Sequence, residues 1–586
     1  MKKARKGKHR ATKPKRRIKP KPQIKSRVHS THLNGEPVGK SVQSSLGANN
    51  PLQTQTDRLT LAAAALGRGD PHSAFDICRE ILTLSPFDTG ALNLAGVAAF
   101  QAGLAAEGLE LLQKAVSQSP RNAEVQTNLG NVLAHLGKES AATLAYEKAM
   151  QADPDYAEAF FNFGILMEGS GQPEKAIVAL NKALVKEPHH VLALHGLGNA
   201  FKTLSRLEEA KAAFQAALKI DPSLSMARTN LAAVLHEIGD FKGATEESQR
   251  AIKINPDLYE AQYNLGTALQ ELGRHDEAIT AYEQVLIRQP KHAAAAMNIA
   301  YGLQQMGRLD AASTAFEKAI SIDPSFAKAY VNLADLRLQQ GDPLAALAVC
   351  DGFLKDNPGK PDLLAFKAMV LGDAGENKTA ADLIDYDRFL EVQSIKLPAG
   401  YSDLATFNAA LGAHVSSHPT LNYAPQSHAT RAGQHSGELL AEPKGPFADM
   451  EKLILNAVDK YKKNVEREPS HPFLGAQPEK TRLSIWGVIM RAAGHQIPHI
   501  HPAAWLSGVY YVDVPAIVGE EVGKQAGWLV LGRPPDHFHN SRDAEIKAIR
   551  PEPGLMVLFP SYFYHQTIPF HTDETRISIA FDLIPE

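Results

Sequence analysis

Prolines 86, 120, 154, 188, 222, 256, 290, 324 and 358 fall at an unbroken interval of 34 residues. A period of that length means one supersecondary unit copied along the chain, because nine in-phase prolines do not arise by chance. Other slots keep the same phase. Nine residues after each proline stands an apolar residue (Leu129, Phe163, Leu197, Leu231, Leu265, Ile299, Leu333), followed by a small one (Gly130, Gly164, Gly198, Ala232, Gly266, Ala300, Ala334). At +17 stands Gly103, Gly137, Gly171, Gly239, Gly273, Gly307 or Gly341, and at +22 an alanine such as Ala142, Ala176 or Ala210. Each slot has a mechanical meaning. Glycine permits a sharp turn between two helices, small residues let those helices approach closely, and proline closes the second helix. One helix pair cannot bury its apolar face alone, but a stack of pairs can.

This period and pattern resemble the tetratricopeptide repeat, and imply an all-α solenoid of nine repeats over residues 55–360. A degenerate tenth repeat, with Gly375 and Ala380 in phase, would cap it at 361–393. Both cysteines, Cys78 and Cys350, stand eight residues before a repeat proline, in the slot that also holds Tyr146, Phe214, Tyr282 and Phe316. They read as small core residues rather than redox groups. The slot at +8 holds Asn128, Asn162, Asn230, Asn264, Asn298 and Asn332, with Gly196 as the exception. In the repeat family this slot faces the concave groove, and a row of amides there resembles the asparagine ladder of protein O-GlcNAc transferases, which grips an extended peptide. An amide can both donate to and accept from one peptide unit. The alternative is that these asparagines only tie neighbouring helices together. Either way, a peptide- or protein-binding superhelix is expected.

Charge separates the ends of the chain. Its 586 residues carry 62 Lys+Arg and 64 Asp+Glu, a formal net charge of −2. Residues 1–27 hold fourteen of the basic residues and no acid, which leaves the remainder at −16. Residues 1–54 are rich in Lys, Arg and Pro, then in Ser, Asn and Gly, and cannot bury enough apolar surface to offset ordering entropy. They read as a disordered basic tail and linker. Residues 2–27 could make weak phosphate contacts with nucleic acid, although no aromatic residue is present there to stack on bases. A tail of this charge could also compete with basic peptides for the acidic body. Two cysteines exclude a disulfide scaffold and a thiolate zinc cluster. No run approaches about 18 consecutive apolar residues, so no transmembrane segment is expected, nor does an apolar stretch follow the charged start as in a signal peptide. A cytoplasmic protein follows as the expectation.

From about Leu397 the period stops. All three tryptophans and twelve histidines lie beyond it. Helical patterns near 403–414 and 446–464 precede strand-like segments: RLSIWGVIM, WLSGVYYVDV, GWLVL, GLMVLFP and RISIAFDLI. Short strands with Gly/Pro-rich breaks predict an α+β domain over 394–586 with a jelly-roll core. In Pro498-His499-Ile500-His501-Pro502 the two histidines share one face of an extended segment. His565 follows 64 residues later, and Arg576-Ile577-Ser578 eleven further on. Two close ligands, one distant ligand and a trailing basic residue make a facial metal site with open positions.

At these residues the domain resembles the Fe(II)/2-oxoglutarate-dependent oxygenases, and among them a group with an HxHP…SGVYY…LFPS…H…R pattern, here HIHPAAWLSGVYYVDVP, PEPGLMVLFPSYFYHQTIP and TRISIAFDL. The resemblance covers the C-terminal third and implies a double-stranded β-helix binding Fe(II), 2-oxoglutarate and O2. His499 and His565 would be ligands. Arg576 would pair with the distal carboxylate of 2-oxoglutarate, Ser578 would add a hydrogen bond, and Tyr511 falls where the prolyl-hydroxylase branch places a co-substrate tyrosine. His501 departs from the pattern, since most of the superfamily has Asp or Glu there. It stands as the third candidate ligand, with Asp513 as a spare. His495 reads as a loop or surface histidine, His571 as solvent-exposed, and the second HxH (His537, His539) as part of a polar loop without a third ligand at useful spacing. A dioxygenase hydroxylating a peptide or protein recruited by the repeats follows. The alternative is a repeat scaffold with an inactive or merely metal-stabilised barrel. A three-histidine metalloenzyme on a cupin-like barrel ranks below both, for want of a downstream Glu at the right spacing.

Overall fold

The structure, a computed structural model, describes residues 51–424, 429–519 and 525–586. The basic tail, and with it the expected nucleic-acid contact through residues 2–27, lies outside the described residues. The described residues form two compact units, one ending at residue 166 and the other beginning at residue 167.

The first unit is built of antiparallel helix pairs. Its helices include Pro71–Leu84, Thr89–Gln101, Ala105–Gln118, Ala123–His135 and Glu139–Ala152. Each proline falls between the second helix of one pair and the first helix of the next, as at Pro86 and Pro120. An earlier helix, Pro51–Gly67, reaches into the segment expected to be linker. Leu112, Leu129, Val132, Leu133, Ala142, Ala145 and Tyr146 form one of its core clusters. Gly130 faces Tyr146 so closely that a Cβ would lie 2.5 Å from the ring.

The second unit repeats the plan from Pro173–Lys186 to Pro361–Asp373. The +17 glycines turn left-handed, with φ between 71° and 91° at Gly171, Gly239, Gly273, Gly307, Gly341 and Gly375. The repeat that lacks glycine there carries Ser205 in the same left-handed region, at φ 55°. Cys78, in the first unit, and Cys350, in the second, are free and fully buried, and burial pushes each thiol up to about 12. Both are packing residues.

After the short helix Asn377–Leu383 the chain enters a curled antiparallel sheet. Its strands are β1 Glu391–Ser394, β2 Asn422–Tyr423, β3 Thr430–His435, β4 Thr481–His499, β5 Leu506–Asp513, β6 Leu529–Leu531, β7 Lys547–Ile549, β8 Leu555–Pro560, β9 His565–Thr567 and β10 Arg576–Pro585. The spatial order is β1-β8-β5-β10-β4-β9-β6-β7, with β3 also on β4 and β2 on β3. The strand β1 lies slightly ahead of the expected domain start at 394, because Glu391–Ser394 pairs with Leu555–Leu558. The long β4 curls the sheet: residues 481–490 pair with β10, while Gln496 and His499 pair with β9. The pairing shifts register between them, next to Ala493 at φ 64°. Such an irregularity bends and twists a strand. Helices Leu404–Ser416 and Phe447–Asn464 bury Phe407, Leu411, Met450, Ile454 and Tyr461 in the core that also holds Ile485, Tyr510 and Phe581. That core continues into the last repeats through Leu363, Phe366 and Val370. No helix among the described residues is long and apolar enough to cross a membrane.

Candidate metal and anion site

The end of β4 pairs His499 with His565 at the start of β9. Just beyond β4, His501 opens a turn closed by the Ala504 N–H on its carbonyl, and its own backbone N–H donates to the Ser561 carbonyl. The ring centroids lie 4.1 Å apart for His499 and His565, 5.0 Å for His501 and His565, and 5.3 Å for His499 and His501. One ligand nitrogen from each ring lies within 4.8 Å of the other two.

Hydrogen bonds fix which nitrogen each ring presents. His499 Nδ1 lies 2.8 Å from the Ile497 carbonyl, His565 Nδ1 3.0 Å from the Phe563 carbonyl, and His501 Nδ1 2.7 Å from Asp582 Oδ1. Carbonyls and carboxylates only accept, so each Nδ1 carries a proton and Nε2 is the nitrogen left to face the cluster. Burial, reinforced by His501, pushes His499 down to about 3, and burial holds His565 well below the usual imidazole range. Imidazoles that present Nε2 to one point are a donor set for a borderline cation such as Fe(II) or Zn(II).

Beside them is a cavity of about 320 Å³, lined by Trp486, Gln496, Tyr511, Phe559, Arg576 and Ser578 among others. Arg576 is 2% exposed, and among the described residues no carboxylate pairs with it. Its Nε makes no hydrogen bond, its Nη1 reaches only Met490 Sδ at 3.6 Å, and its guanidinium lies 5.2 Å from the Tyr511 ring centroid. Tyr511 is fully buried, and its hydroxyl faces the Arg576 guanidinium without forming a well-aligned hydrogen bond. Ser578 stands opposite Tyr511 on β5. A buried guanidinium without an anion is costly, and this one shares a cavity with the three histidines.

Of the residues singled out from sequence, His499, His501, His565, Tyr511, Arg576 and Ser578 come together here. Asp513 does not: it is exposed at the end of β5 and outside the histidine cluster. His571 is exposed, and His495 bonds the Ala493 carbonyl away from the cluster. Sequence reasoning missed Asp582, Ser507 and the cavity residues His435 and Gln496. A signal for Asp582 existed. Arg576, Ser578, Ala580 and Asp582 alternate along β10, so they share a face, and Asp582 is the one acid in that strand.

The asparagine slot has a regular geometry. Asn128 Nδ2 donates to Asn93 Oδ1 at 2.9 Å, and Asn162 to Glu158 at 3.2 Å. In the second unit Asn230 donates to His195 Nε2 and Asn199 Oδ1, Asn264 to the Thr229 carbonyl, and Asn298 to the Tyr263 hydroxyl. Four of these donations, from Asn128, Asn230, Asn264 and Asn298, reach a residue 35 positions earlier. They tie consecutive first helices through the amide nitrogens and leave the amide carbonyls for other partners. Asn332 is half-buried.

Family models agree with both parts of the chain. Tetratricopeptide-repeat models match residues 93–157, 145–178, 191–224, 257–325 and 298–361, and a model described as "Putative 2OG-Fe(II) oxygenase" matches 484–582. The chain thus carries tetratricopeptide repeats across 93–361 and an oxygenase-type domain at 484–582. Among solved structures it is similar to YrrB, described as a tetratricopeptide-repeat protein with an unusual peptide-binding site (28% identity, 32% of this chain and 96% of that one, TM-score 0.29). It is also similar to TTC0263, a thermophilic repeat protein of Thermus thermophilus (23%, 31% and 99%, 0.28), and to PilF of Pseudomonas aeruginosa (17%, 36% and 96%, 0.34). A search of curated proteins finds no match. Such repeats in general bind proteins or peptides, and the oxygenase family in general uses Fe(II), 2-oxoglutarate and O2.

Proposed function

We propose that the C-terminal domain is an Fe(II)- and 2-oxoglutarate-dependent dioxygenase that hydroxylates a peptide or protein held by the repeats. The observation that carries this reading is the shared cavity: three imidazoles presenting Nε2 stand beside a buried guanidinium that lacks an anion. We read the curled sheet as a double-stranded β-helix, the repeats as 55–360 with a tenth at 361–393, and the catalytic domain as 394–586 extended back to β1.

The residues present suit both groups. His499, His501 and His565 would hold Fe(II). Arg576 would take the distal carboxylate of 2-oxoglutarate through paired N–H donors, a task suited to a planar guanidinium, and Ser578 and the Tyr511 hydroxyl would add donors to the same anion. When bound, Fe(II) supplies the O2 chemistry that couples decarboxylation of 2-oxoglutarate, giving succinate and CO2, to insertion of one oxygen atom into a substrate C–H bond. The chain's own work is to fix the imidazole tautomers, seat the dicarboxylate, and shield the site with Trp486, Val488, Leu529 and Phe559. In the repeats, Asn128, Asn162, Asn230, Asn264, Asn298 and Asn332 would offer amide groups to an extended peptide. The buried free thiols fit a cytoplasmic setting.

The test is anaerobic reconstitution with Fe(II), followed by 2-oxoglutarate turnover to succinate after O2 is admitted. Wild type should turn over, and His565→Ala and Arg576→Ala should not. A metal-to-ligand absorption band should appear when 2-oxoglutarate is added under anaerobic conditions. Absence of both band and turnover in wild type would leave the scaffold reading.

A further inference from the structure

Only one of the three histidines is backed by a charge. His499 and His565 lean on backbone carbonyls, whereas His501 Nδ1 donates to the Asp582 carboxylate at 2.7 Å. His501 is also the position at which the sequence departs from the carboxylate ligand of its superfamily. Asp582 is 9% exposed, and among the described residues no Lys or Arg pairs with it. Its other close partner is Ser507, which stands opposite it on β5 and donates Oγ–H to the same oxygen at 2.6 Å. The Ser507 hydroxyl lies 3.1 Å from Nδ1, on the carboxylate side of the ring. It is therefore not placed as a nucleophile activated by Nε2. The neighbouring Gly508 is required by packing, because a Cβ there would lie 2.2 Å from the Phe581 ring. The pair Ser507-Gly508 is thus fitted against Phe581-Asp582.

We propose that Asp582 is a positioning residue that supplies, one hydrogen bond behind His501, the negative charge that the three-histidine set lacks, with Ser507 holding its carboxylate in place. A carboxylate accepting from a ligand histidine fixes the ring and raises the basicity of the far nitrogen. In this interior its charge is weakly screened. This inference rests on the metal-binding part of the reading above. It assigns to SGVYY and FDL a joint role that neither motif shows alone.

The experiment measures Co(II) binding to the full chain by its visible absorption and by calorimetry. The proteins are wild type, Asp582→Asn, Ser507→Ala, His501→Asp and the double variant His501→Asp/Asp582→Asn. Asparagine keeps an acceptor at the same place and removes the charge, so Asp582→Asn should weaken Co(II) binding about 10–100-fold. Should that variant not fold, Ser507→Ala carries the test, with a several-fold loss expected. In His501→Asp the ligand carries its own charge and no imidazole remains for Asp582 to act through, so adding Asp582→Asn should cost far less affinity than it does in wild type. Co(II) affinity within twofold of wild type in Asp582→Asn or, where that variant does not fold, in Ser507→Ala would overturn the role of Asp582 while leaving the metal site standing. An equal loss on adding Asp582→Asn to wild type and to His501→Asp would do the same, because Asp582 would then not act through His501. If wild type binds neither Co(II) nor Fe(II), the oxygenase reading fails and this inference fails with it.

Discussion

Single positions in this chain carry identifiable costs. Ser205 occupies the left-handed turn that glycine fills in the other repeats. A side chain there costs about 1–2 kcal/mol. Ser205→Gly should therefore stabilise the protein by roughly 1 kcal/mol after glycine's larger unfolded-state entropy is subtracted. A higher denaturant midpoint at unchanged slope is the expected result. Arg576 is the opposite case, a buried cation retained without an anion. Arg576→Met should raise the stability of the ligand-free protein by about 1–3 kcal/mol, the cost of an unsatisfied buried polar group, and abolish 2-oxoglutarate binding in a calorimetric titration. A destabilised Arg576→Met protein would show that the guanidinium serves the fold instead. Arg576 was visible in the sequence, yet its lack of a counter-ion was not, because partners come from strands distant in sequence.

At the scale of elements, two slots of the repeat lock together. Gly266 lies against Tyr282, with a substituted Cβ only 2.6 Å from the ring. Gly266→Ala would gain about 1 kcal/mol of helix propensity but overpack a fully buried ring, which costs about 1–3 kcal/mol. Net destabilisation is expected in thermal unfolding. The small slot was legible from periodicity alone, and so was its meaning. The asparagine slot was not, since its donations to the previous repeat depend on how adjacent pairs stack. His195 shows the consequence. It accepts from the Asn230 amide, and burial pushes it down to about 4. An unfolded histidine protonates near 6.5, so between about pH 6.5 and 4 the unfolded chain binds more protons. Stability is fully present above pH 6.5 and should fall, by at most about 1.4 kcal/mol per pH unit for this group, as pH drops towards 4. His195→Gln should flatten that part of the curve, and identical pH dependence in both proteins would refute the assignment.

Across the larger unit, the sheet domain and the last repeats share one core. A loop containing the second HxH performs the docking. The His539 backbone N–H and Nδ1 both reach Asp335 at 2.9 Å, Phe538 packs edge-on to Phe366 at 5.0 Å, and Ser541 donates to Asp373. Phe538 also lies 6.3 Å from Tyr564, the neighbour of His565. Phe538→Ala should cost about 2–3 kcal/mol and lower the denaturation midpoint of the sheet domain together with that of the adjoining repeats. Separate transitions for the two would show that the core is not shared. Sequence treated this HxH as a loop, which it is, but gave no hint of its partner on a distant repeat helix. The chain by itself determined the repeat, its turns, its packing slots and the HxH…H…R set, because these follow from periodicity and local stereochemistry. Only tertiary structure decided which imidazole nitrogens point inward, that Asp582 stands behind His501, and that the last repeats complete the sheet domain's core. Those facts depend on strand register and on contacts between segments far apart in sequence, which no local pattern encodes.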